Sequence, residues 1–396
     1  MRVALLLSTL YFEDFYGKAL GLAREQYLDA YRNDWSWDWC QMLAAENVDA
    51  SIYVPTIEDA ECVRTPDECT VRFLPLGAAA MPWVRFPVLR RTPVGRYIGQ
   101  AANAAAFLRP LRSALAEDRI DVLCVQEYWT ARFDVLARAV TCPVVALDQG
   151  LPDRREIKLL KRGAFERTTR TVVQTQQQAE KVGRYGGSAE RIPNAVNTSV
   201  FSPGGHADTE HPTILCVGRL HDAQKRLSDV LRALALLPSD WRLEIAGSGP
   251  DRETLERLAA ELGISDRVSL LGFVARGSEL RDLYRRATVL ALPSAYEGLP
   301  MVLLEAMSCG TPVVGSDIAA IAEVIDHERT GLLVPVANPE RLAAALRSAV
   351  ARHDELGAAA RNEILARYDQ TVVGPRLVAA LRAAQTPSKT TEPLAA

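Results

Sequence analysis

The chain has 396 residues, of which 48% are hydrophobic and 24% are charged. This composition excludes a disordered chain and is sufficient for two sizeable hydrophobic cores. The 46 basic and 49 acidic residues give a net charge of -3, which carries no global indication of a nucleic-acid-binding protein.

Short apolar runs alternate with longer segments of helical period along the whole chain. The strand candidates are Val3–Leu7, Ala50–Val54, Val122–Val125, Val144–Leu147, Thr171–Val173, Ile214–Val217, Arg242–Ala246, Val268–Leu270, Val289–Leu292 and Thr311–Gly315. They show little polar alternation, which is typical of parallel strands covered by helices on both faces. The βαβα order therefore predicts a doubly wound α/β architecture.

A segment rich in proline and glycine interrupts this rhythm near the middle of the chain. It predicts a linker at residues 194–208, between a Rossmann-like domain at 1–193 and a second one at 209–368. A helix at 369–385 is expected to pack back on the first domain, and residues 386–396 are expected to be a disordered tail. Ligands of such sheets bind beyond the carboxyl ends of the strands, so the chemistry is sought in strand-to-helix loops.

The first loop of interest reads Val217-Gly218-Arg219-Leu220, and Lys225 follows the arginine by six residues. The glycine permits a sharp turn where the strand ends. An arginine and a lysine on one loop can clamp a diphosphate from two sides. Taken alone, two such cations are more typical of a solvated surface.

The second loop reads Ile245-Ala246-Gly247-Ser248-Gly249-Pro250. Its two glycines permit backbone amides to approach a ligand closely, although a tight turn is the plainer interpretation. The full G-x-G-x-x-G pattern is absent here, which disfavours a dinucleotide cofactor.

The third loop leads into an apolar helix between Pro293 and Pro312. Pro300 suits the first helical turn and Gly310 the position just past the end, so Glu297 is predicted in the loop and Glu305 on the helix. The start of this helix would present free amides and a positive dipole end to a phosphate. A carboxylate among apolar neighbours needs a partner, and ribose hydroxyls, an arginine or a backbone amide would each serve.

The segment E-G-L-P-x-x-x-L-E-A-M-x-x-G-T-P-V-V resembles the E-x7-E signature of retaining family 4 glycosyltransferases (glycosyl transferases group 1) with the GT-B fold. The loops at Gly218 and Gly247 are similar to other signatures of that family. So are Leu271-Gly272-Phe273-Val274 and Thr330-Gly331-Leu332-Leu333-Val334, and all come in the family's order. The resemblance covers roughly residues 170–350.

This resemblance implies two Rossmann-like doubly wound parallel-sheet domains facing across a cleft, with a nucleoside-diphosphate-sugar as the donor substrate. Arg219 and Lys225 would bind the diphosphate, Glu305 the ribose, and Glu297 would face the transferred hexose or related sugar. The further donor-binding residues that it implies are Gly218, Gly247, Gly249, Phe273, Val274, Gly298, Leu299, Pro300 and Met301. It also implies retention of the anomeric configuration, with charge stabilisation of the leaving diphosphate mattering more than a general base.

No metal and no cofactor are expected, because the sequence has no D-x-D pair and no His/Cys cluster. The seven cysteines are spread out without a C-x-x-C pair, which favours reduced thiols in a cytoplasmic protein. No apolar run approaches the ~18 residues of a membrane span. The expected partners are the sugar-nucleotide and an unidentified sugar, lipid-linked or small-molecule acceptor, with no nucleic acid.

The first half resembles the family only in its strand rhythm. The family's Gly-Gly pair after the first strand is absent, and Gly17 is the one glycine nearby that could take its role. Where many relatives carry a histidine, this chain reads Gln126-Glu127-Tyr128-Trp129. Gln126, Glu127 and Trp129 are therefore candidates for orienting the sugar or the acceptor, with ordinary polar residues at a strand end as the alternative.

Two further N-terminal clusters have both a functional and a plain interpretation. Trp35, Trp37 and Trp39 alternate and suit a sugar ring or a lipid, or else a helix packed on the core. The segment Arg85–Arg112 has six arginines and no acidic residue, which suits peripheral contact with the inner face of a membrane or a solvated surface.

Two other functions stay open. One is a nucleotide-sugar epimerase or hydrolase on the same fold, which needs an acid/base set that the histidine-poor first half does not offer. The other is a non-catalytic sugar-nucleotide-binding subunit, against which the intact set of charged motif residues argues.

Overall fold

A computed structural model of the chain describes residues 1–7, 11–29, 31–76, 92–148, 158–204 and 211–385. The chain divides into two compact units. The first draws on Met1–Gln149, Asp153–Ile192 and Gly374–Ala396, and the second on Gly150–Pro152 and Pro193–Val373. The second unit thus starts at Pro193, just before the predicted linker, and the predicted tail lies outside the described residues.

The first unit is built on an eight-stranded sheet with the order β3-β4-β2-β1-β5-β6-β7-β8. Its strands are β1 (Arg2–Leu6), β2 (Asp49–Thr56), β3 (Glu61–Arg64), β4 (Thr70–Pro75), β5 (Val122–Gln126), β6 (Val144–Leu147), β7 (Arg170–Val173) and β8 (Glu190–Arg191). Neighbouring strands pair in parallel except β3, which pairs antiparallel with β4 at the edge.

Helices cover this sheet. They are a π-helix (Glu13–Ala19), α1 (Arg24–Asp29), α2 (Trp35–Ala45), α3 (Pro93–Glu117), α4 (Ala131–Ala139), α5 (Lys158–Phe165) and α6 (Gln176–Arg184). Threonines begin three of them: Thr92 accepts a hydrogen bond from the amide of Gly95, Thr130 accepts one from the amide of Phe133, and Thr175 forms a reciprocal cap with Gln178. The central strands β1 and β5 are buried on both faces, which explains their unbroken apolar sequences.

The second unit contains a six-stranded, fully parallel sheet with the order β11-β10-β9-β12-β13-β14. Its strands are β9 (Thr213–Val217), β10 (Arg242–Ala246), β11 (Val268–Gly272), β12 (Val289–Leu292), β13 (Val313–Ser316) and β14 (Leu332–Val334). The central strand β9 lies between β10 and β12, so the loops after these three strands leave the same edge of the sheet.

The helices of the second unit follow the strands in alternation. They are α7 (Asp222–Lys225), α8 (Leu227–Ala235), α9 (Arg252–Glu261), α10 (Ser278–Arg286), α11 (Met301–Ser308), α12 (Ala319–Ala322), α13 (Pro339–Ala351), α14 (His353–Arg367) and α15 (Gln370–Gln385), with a 3-10 turn at Ser265–Arg267. The last helix crosses the division of the chain. From Gly374 onward it belongs to the first unit, where a Cβ on Gly374 would lie 3.0 Å from Cγ of Met42.

Each face of the second sheet has its own apolar cluster. One face packs against α8, α9 and α13, with Leu231 and Leu346 fully buried. The other packs against α10, α11 and α14, with Leu304 and Ile364 fully buried. The α/β class that the sequence predicted is confirmed.

Some N-terminal elements differ from the sequence-based picture. The strands β3, β4 and β8 were not predicted. Three of the four residues of β3 are exposed and charged residues lie at its ends, and β8 consists of two exposed charged residues. Trp37 and Trp39 are buried on α2. Of the two interpretations given for this cluster, they fit a helix packed on the core. Of the basic segment Arg85–Arg112, residues 85–91 lie outside the described part, and Arg112 donates to the carbonyl of Ala139 at 3.1 Å. Within the described ranges, no helix has both the length and the apolarity to cross a membrane.

Candidate functional site

Glycines let two neighbouring strand ends of the second sheet approach each other directly. The amide of Gly218, after β9, donates to the carbonyl of Ala246 at 2.9 Å. A Cβ on Gly247 would lie 1.8 Å from the oxygen of Gly218, and one on Gly249 would lie 2.4 Å from the oxygen of Leu220. Any side chain at these two positions would force the loops apart, so the backbone contact explains the glycines.

Lys225 lies over the first of these glycines and faces the loop after β12. A Cβ on Gly218 would lie 3.1 Å from Cε of Lys225. The Nζ of Lys225 donates to Oε1 of Glu297 at 2.7 Å, and the two side chains are only 14% and 8% exposed. The structure thus joins two of the three residues predicted to be catalytic in one ion pair.

The backbone fixes the lysine in this place. The amide of Ala295 donates to the carbonyl of Gln224 at 2.8 Å, which ties the loop after β12 to α7. Directly after Lys225, Arg226 adopts a left-handed conformation with φ 54°, and its guanidinium pairs with Asp229 at 2.8 Å. Lys225 is therefore held between two ordered connections rather than on a mobile surface loop.

Arg219 differs from Lys225 in its surroundings. Its side chain is exposed at the loop that follows β9. Among the described residues it has no ion pair or hydrogen bond of its side chain. It is therefore a cation at this edge of the sheet whose charge is available to a ligand.

Glu297 and Gly298 lead into α11, the helix predicted to face a phosphate. Leu299 is buried and its carbonyl accepts a hydrogen bond from Nδ2 of Asn194 at 3.5 Å. The helix begins at Met301 with Pro300 as its N-cap, and no side chain caps its first amides. Those amides need acceptors, and an anion can supply them.

Glu305 is buried on α11, and protein side chains contact both of its carboxylate oxygens. Nε of Arg276 donates to Oε1 at 2.5 Å and the hydroxyl of Tyr284 donates to Oε2 at 2.8 Å. Burial raises the pKa of Tyr284 well above its ordinary value, and the neighbouring Glu305 raises it further. From the sequence, an arginine was one of the possible partners of Glu305. The structure shows this arginine and also a tyrosine.

Arg276 and Tyr284 were not found from the sequence as members of this site. Arg276 follows the Phe273-Val274 motif by two residues, and this closeness to a motif was the available signal. Tyr284 lies on α10 without any pattern that marks it. Phe273 is 56% exposed and Val274 packs against the core, so the ring of Phe273 is open to a ligand.

Of the four candidates in the first unit, three lie at the end of a central strand and one lies in a helix. Gly17 lies inside the π-helix rather than in a turn directly after β1, and a Cβ there would meet only ordinary contacts, at 3.8 Å and beyond. Gly17 is thus not part of a turn directly after β1, and its role towards the donor or the acceptor stays a prediction. Gln126, Glu127 and Trp129 lie at the carboxyl end of β5, where Glu127 is buried and Trp129 is partly exposed.

The sequence of the chain is similar to that of known glycosyltransferases. Residues 211–352 match the family model described as Glycosyl transferases group 1. The chain is 44% identical over 132 residues to an uncharacterised glycosyltransferase of Methanocaldococcus jannaschii, covering 33% of each chain. It is 31% identical over 216 residues to a GDP-mannose-dependent alpha-(1-6)-phosphatidylinositol monomannoside mannosyltransferase of Mycobacterium tuberculosis, covering 49% of this chain and 56% of the relative. The matches thus span about a third to a half of the length of these relatives.

Solved structures extend the likeness over both units. Sucrose-phosphate synthase from Thermosynechococcus elongatus superimposes with a TM-score of 0.76 at 20% identity, covering 96% of this chain and 98% of that one. HepE from Anabaena, solved with UDP, superimposes with a TM-score of 0.71 at 15% identity, covering 97% and 100%.

Two parallel-sheet α/β units of this topology define the GT-B fold of glycosyltransferases. Within the second unit, the residues that match the Glycosyl transferases group 1 model include Arg219, Lys225, Glu297 and Glu305.

Proposed function

We propose that the chain is a retaining family 4 glycosyltransferase, which moves a hexose or related sugar from a nucleoside-diphosphate-sugar to an acceptor hydroxyl. The observation that carries the proposal is the ion pair of Lys225 and Glu297 beside the glycine-supported strand ends of the matched domain. Supporting it, the name of the mycobacterial relative specifies GDP-mannose and the HepE structure contains UDP. Because these two differ in the nucleotide, the proposal extends to the class of donor and not to its base.

In the proposed complex the diphosphate lies against Arg219, Lys225 and the start of α11. Lys225 has three donor hydrogens, so it can keep its contact with Glu297 and also donate to a phosphate oxygen. Arg219 can offer its planar fork without breaking an ion pair. The uncapped amides after Pro300 supply further donors.

Glu305 is assigned to the ribose and the open ring of Phe273 to the nucleobase. The bonds from Arg276 and Tyr284 occupy one direction at each carboxylate oxygen. A carboxylate has roughly four acceptor sites, so hydroxyls of a ribose can bind without displacing these partners. Arg276 and Tyr284 would then orient the carboxylate.

The transfer itself needs charge stabilisation at the leaving group. The acceptor hydroxyl attacks the anomeric carbon from the face of the departing diphosphate, and the bond between that carbon and the phosphate oxygen breaks. The departing phosphate oxygen takes the hydroxyl proton, so protons and charge balance without a separate base. Arg219 and Lys225 stabilise the charge that develops on the diphosphate, and we propose that no metal ion is needed.

We further propose that Glu297 faces the transferred sugar and that Gly17, Gln126, Glu127 and Trp129 belong to the acceptor side. A cytoplasmic location, with peripheral contact to the inner face of a membrane through Arg85–Arg112, completes the proposal. The acceptor is a sugar, a lipid-linked sugar or a small molecule with a free hydroxyl.

An assay of nucleoside diphosphate released from a panel of sugar-nucleotides, with and without candidate acceptors, tests this function. A transferase releases product only when an acceptor is present, whereas a hydrolase or epimerase acts without one, and a binding subunit shows neither activity. Retention is read from the anomeric proton of the product by NMR, and metal independence from unchanged rates in excess EDTA. In the same assay Arg219→Ala should lower turnover. Arg257→Ala, which changes another exposed arginine of the second unit, is its matched control and should leave turnover unchanged.

A further inference from the structure

An open cavity of the second unit lies at the amino ends of its strands, at the edge of the sheet opposite to the loops described above. Its volume is about 830 Å³, which is in the range of small-molecule sites. Ala287 and Thr311 in its wall lie just before β12 and β13, whereas Arg219 and Glu297 follow the carboxyl ends of β9 and β12. The cavity is therefore separate from the proposed donor site.

A close approach of two backbones forms one wall of this cavity. A Cβ on Gly357, in the second turn of α14, would lie 2.2 Å from the carbonyl oxygen of Gly310. Only glycine at this position allows α14 to pack so closely on the end of α11. The start of α14 lines the cavity, and no side chain caps the first amides of this helix. Uncapped amides at a helix start favour a negatively charged ligand.

Arg361, one turn further along α14, also lines the cavity and is partly buried. Its guanidinium donates to the carbonyls of Ser308, Phe201 and Thr198 at 2.7, 3.0 and 3.2 Å. Within the described part of the chain it forms no ion pair. Burial lowers the pKa of Arg361, although the charge of Asp369 acts in the opposite direction. The carbonyl groups thus fix the orientation of the guanidinium without neutralising its charge.

Arg285, near the end of α10, is the second arginine that lines the cavity, and its side chain is 23% exposed. Its Nε donates to the carbonyl of Ser202 at 2.7 Å. Its Nη1 lies 3.7 Å from Asp282, a carboxylate that Arg281 binds more closely, at 2.9 Å. Because 3.7 Å is too long for a hydrogen bond, Nη1 keeps its N–H groups for a ligand.

Both guanidinium groups lie beside the turn that follows α11. Nη2 of Arg285 donates to the carbonyl of Pro203 at 3.3 Å, and a Cβ on Gly310 would lie 3.8 Å from Cγ of the same proline. Arg361 reaches this turn through the carbonyl of the last residue of α11. Burial raises the pKa of the Cys309 thiol in this turn to about 12, and the positive charges of both arginines act in the opposite direction. The two charges therefore act on one part of the wall.

Two carboxylates among the described residues also line the cavity, and each has a partner of its own. Arg352 binds Glu355 at 2.7 Å. The side chain of Asp354 is fully exposed and contacts Nδ1 of His353 at 3.1 Å. Neither carboxylate pairs with the two arginines beside the turn, so the positive charge of those arginines is available to an anion.

We propose that this cavity is a binding site for a small phosphorylated molecule, whose phosphate group lies between Arg285 and Arg361. The oxygens of a phosphate accept several hydrogen bonds, and two guanidinium groups with the first amides of α14 supply the donors. The cavity is much larger than a phosphate ion, and the exposed Asn362 in its wall offers donors and an acceptor to a polar body such as a sugar. This inference goes beyond the proposed function and does not depend on it.

The first test measures the binding of phosphate compounds to the full chain by isothermal titration calorimetry. The probes are inorganic phosphate, glycerol 3-phosphate, ribose 5-phosphate and glucose 6-phosphate, with glycerol, ribose and glucose as uncharged counterparts. At least one phosphate ester should bind more tightly than inorganic phosphate, and its uncharged counterpart should not bind. If no ester binds, or if every ester binds only as well as inorganic phosphate, the cavity holds an adventitious ion only and the proposal is overturned.

The second test places a carboxylate in the cavity with Ala358→Glu. Ala358 is exposed, lines the cavity and precedes Arg361 by three residues on α14, so the new carboxylate can pair with that arginine. The affinity for the ester should fall about tenfold or more, as it should in Arg285→Gln, which removes a charged donor. Ala260→Glu, at an exposed position of α9 outside the cavity, is the matched control and should leave the affinity unchanged. Equal affinities of the wild type and Ala358→Glu contradict the assignment.

Arg219→Ala separates this cavity from the proposed donor site. The ester should bind Arg219→Ala as tightly as it binds the wild type, and sugar-nucleotides should bind Ala358→Glu as tightly as the wild type. If the ester instead loses affinity in Arg219→Ala and keeps it in Ala358→Glu, it binds at the donor site and this inference fails. If no sugar-nucleotide binds the wild type, the proposed function fails and this inference is judged by the ester alone.

Discussion

The ion pair of Lys225 and Glu297 allows a prediction whose size follows from the structure. The two charged atoms are 2.7 Å apart, and both side chains are less than one sixth exposed. At an effective dielectric constant of about 20, opposite charges at this distance attract by about 6 kcal/mol, and the desolvation of two ions cancels much of this gain. The net contribution of the pair to folding is therefore small, but the loss of one partner alone is costly.

We expect Lys225→Met to destabilise the protein by about 3 kcal/mol, the lower end of the range for a buried pair, because Lys225 stays 14% exposed. For a unit of this size, that loss corresponds to a decrease in Tm of roughly 6–12 °C. The double substitution Lys225→Met/Glu297→Gln removes both charges and should recover most of the loss, to within about 1 kcal/mol of the wild type.

The measurement is thermal unfolding of the full chain at neutral pH without nucleotide. Arg252→Met, which breaks an exposed pair with Glu256 in the same unit, is the control and should cost less than about 1 kcal/mol. Equal Tm values for Lys225→Met and the double variant would refute the reasoning, since the carboxylate of Glu297 would then not be the source of the cost. Both variants should lose affinity for the donor, because each lacks the cation.

Four further variants test other parts of the site and the fold. Arg219→Ala should lower turnover by about 2–4 kcal/mol of transition-state energy and leave Tm unchanged, as kinetics and melting curves will show. Glu305→Gln should destabilise the protein by about 2 kcal/mol and weaken donor binding measured by calorimetry, because its arginine partner loses a buried counterion. Gly247→Ala places a Cβ 1.8 Å from a backbone oxygen and should lower Tm, whereas Gly183→Ala meets no atom within 4 Å and should not. Burial raises the pKa of Glu127 from 4.5 to about 8, so the native state keeps a proton that the unfolded chain has lost. The free energy of unfolding of the wild type should therefore fall as the pH rises from about 4.5 to 8. The Tm of Glu127→Gln minus that of the wild type should increase over the same pH range and stay constant above it.

The second unit was largely predictable because its signals are local. The strands β9, β10 and β12 are unbroken apolar runs, and each is followed by a loop with glycine or proline at the turn. Helix α11 ends at Ser308, and Gly310 follows with φ 78°, as expected for a glycine just past a helix end. Glycine and proline at the ends of strands and helices thus place Glu297 in a loop and Glu305 on a helix without knowledge of the fold.

The partners of these glutamates depend on contacts between distant residues. Arg276 reaches Glu305 across 29 positions of the chain, and Tyr284 reaches it from a different helix. The sequence indicates that a buried carboxylate needs partners, but it does not choose among the many arginines and tyrosines of the chain. The same holds for the buried Lys161 of α5, which donates hydrogen bonds to the carbonyls of Tyr128 and Thr130, 33 and 31 positions away.

The first unit was harder to predict because its irregular parts have no period. The π-helix that holds Gly17 is closed by i→i+5 hydrogen bonds and does not follow the 3.6-residue period of an α-helix, so a strand-end loop was expected where a helix lies. The positive φ of Glu127 likewise has no counterpart in its residue type, since glycine and asparagine are the usual residues there.

The charges around the strand ends of the second unit imply different roles for Arg219 and Lys225. Lys225 is matched by Glu297 and Arg276 by Glu305, so each pair is close to neutral before a ligand binds. Among the described residues around the strand ends, Arg219 adds a positive charge that no carboxylate balances. The attraction of a dianionic diphosphate over distance should therefore come mainly from Arg219, and it should decrease with salt. Lys225, already ordered by Glu297, should contribute at contact in the proposed complex, because a fixed donor needs no reorganisation. Donor affinity should consequently lose most of its salt dependence in Arg219→Ala and keep it in Lys225→Met/Glu297→Gln, and equal salt dependence in both variants would contradict this division.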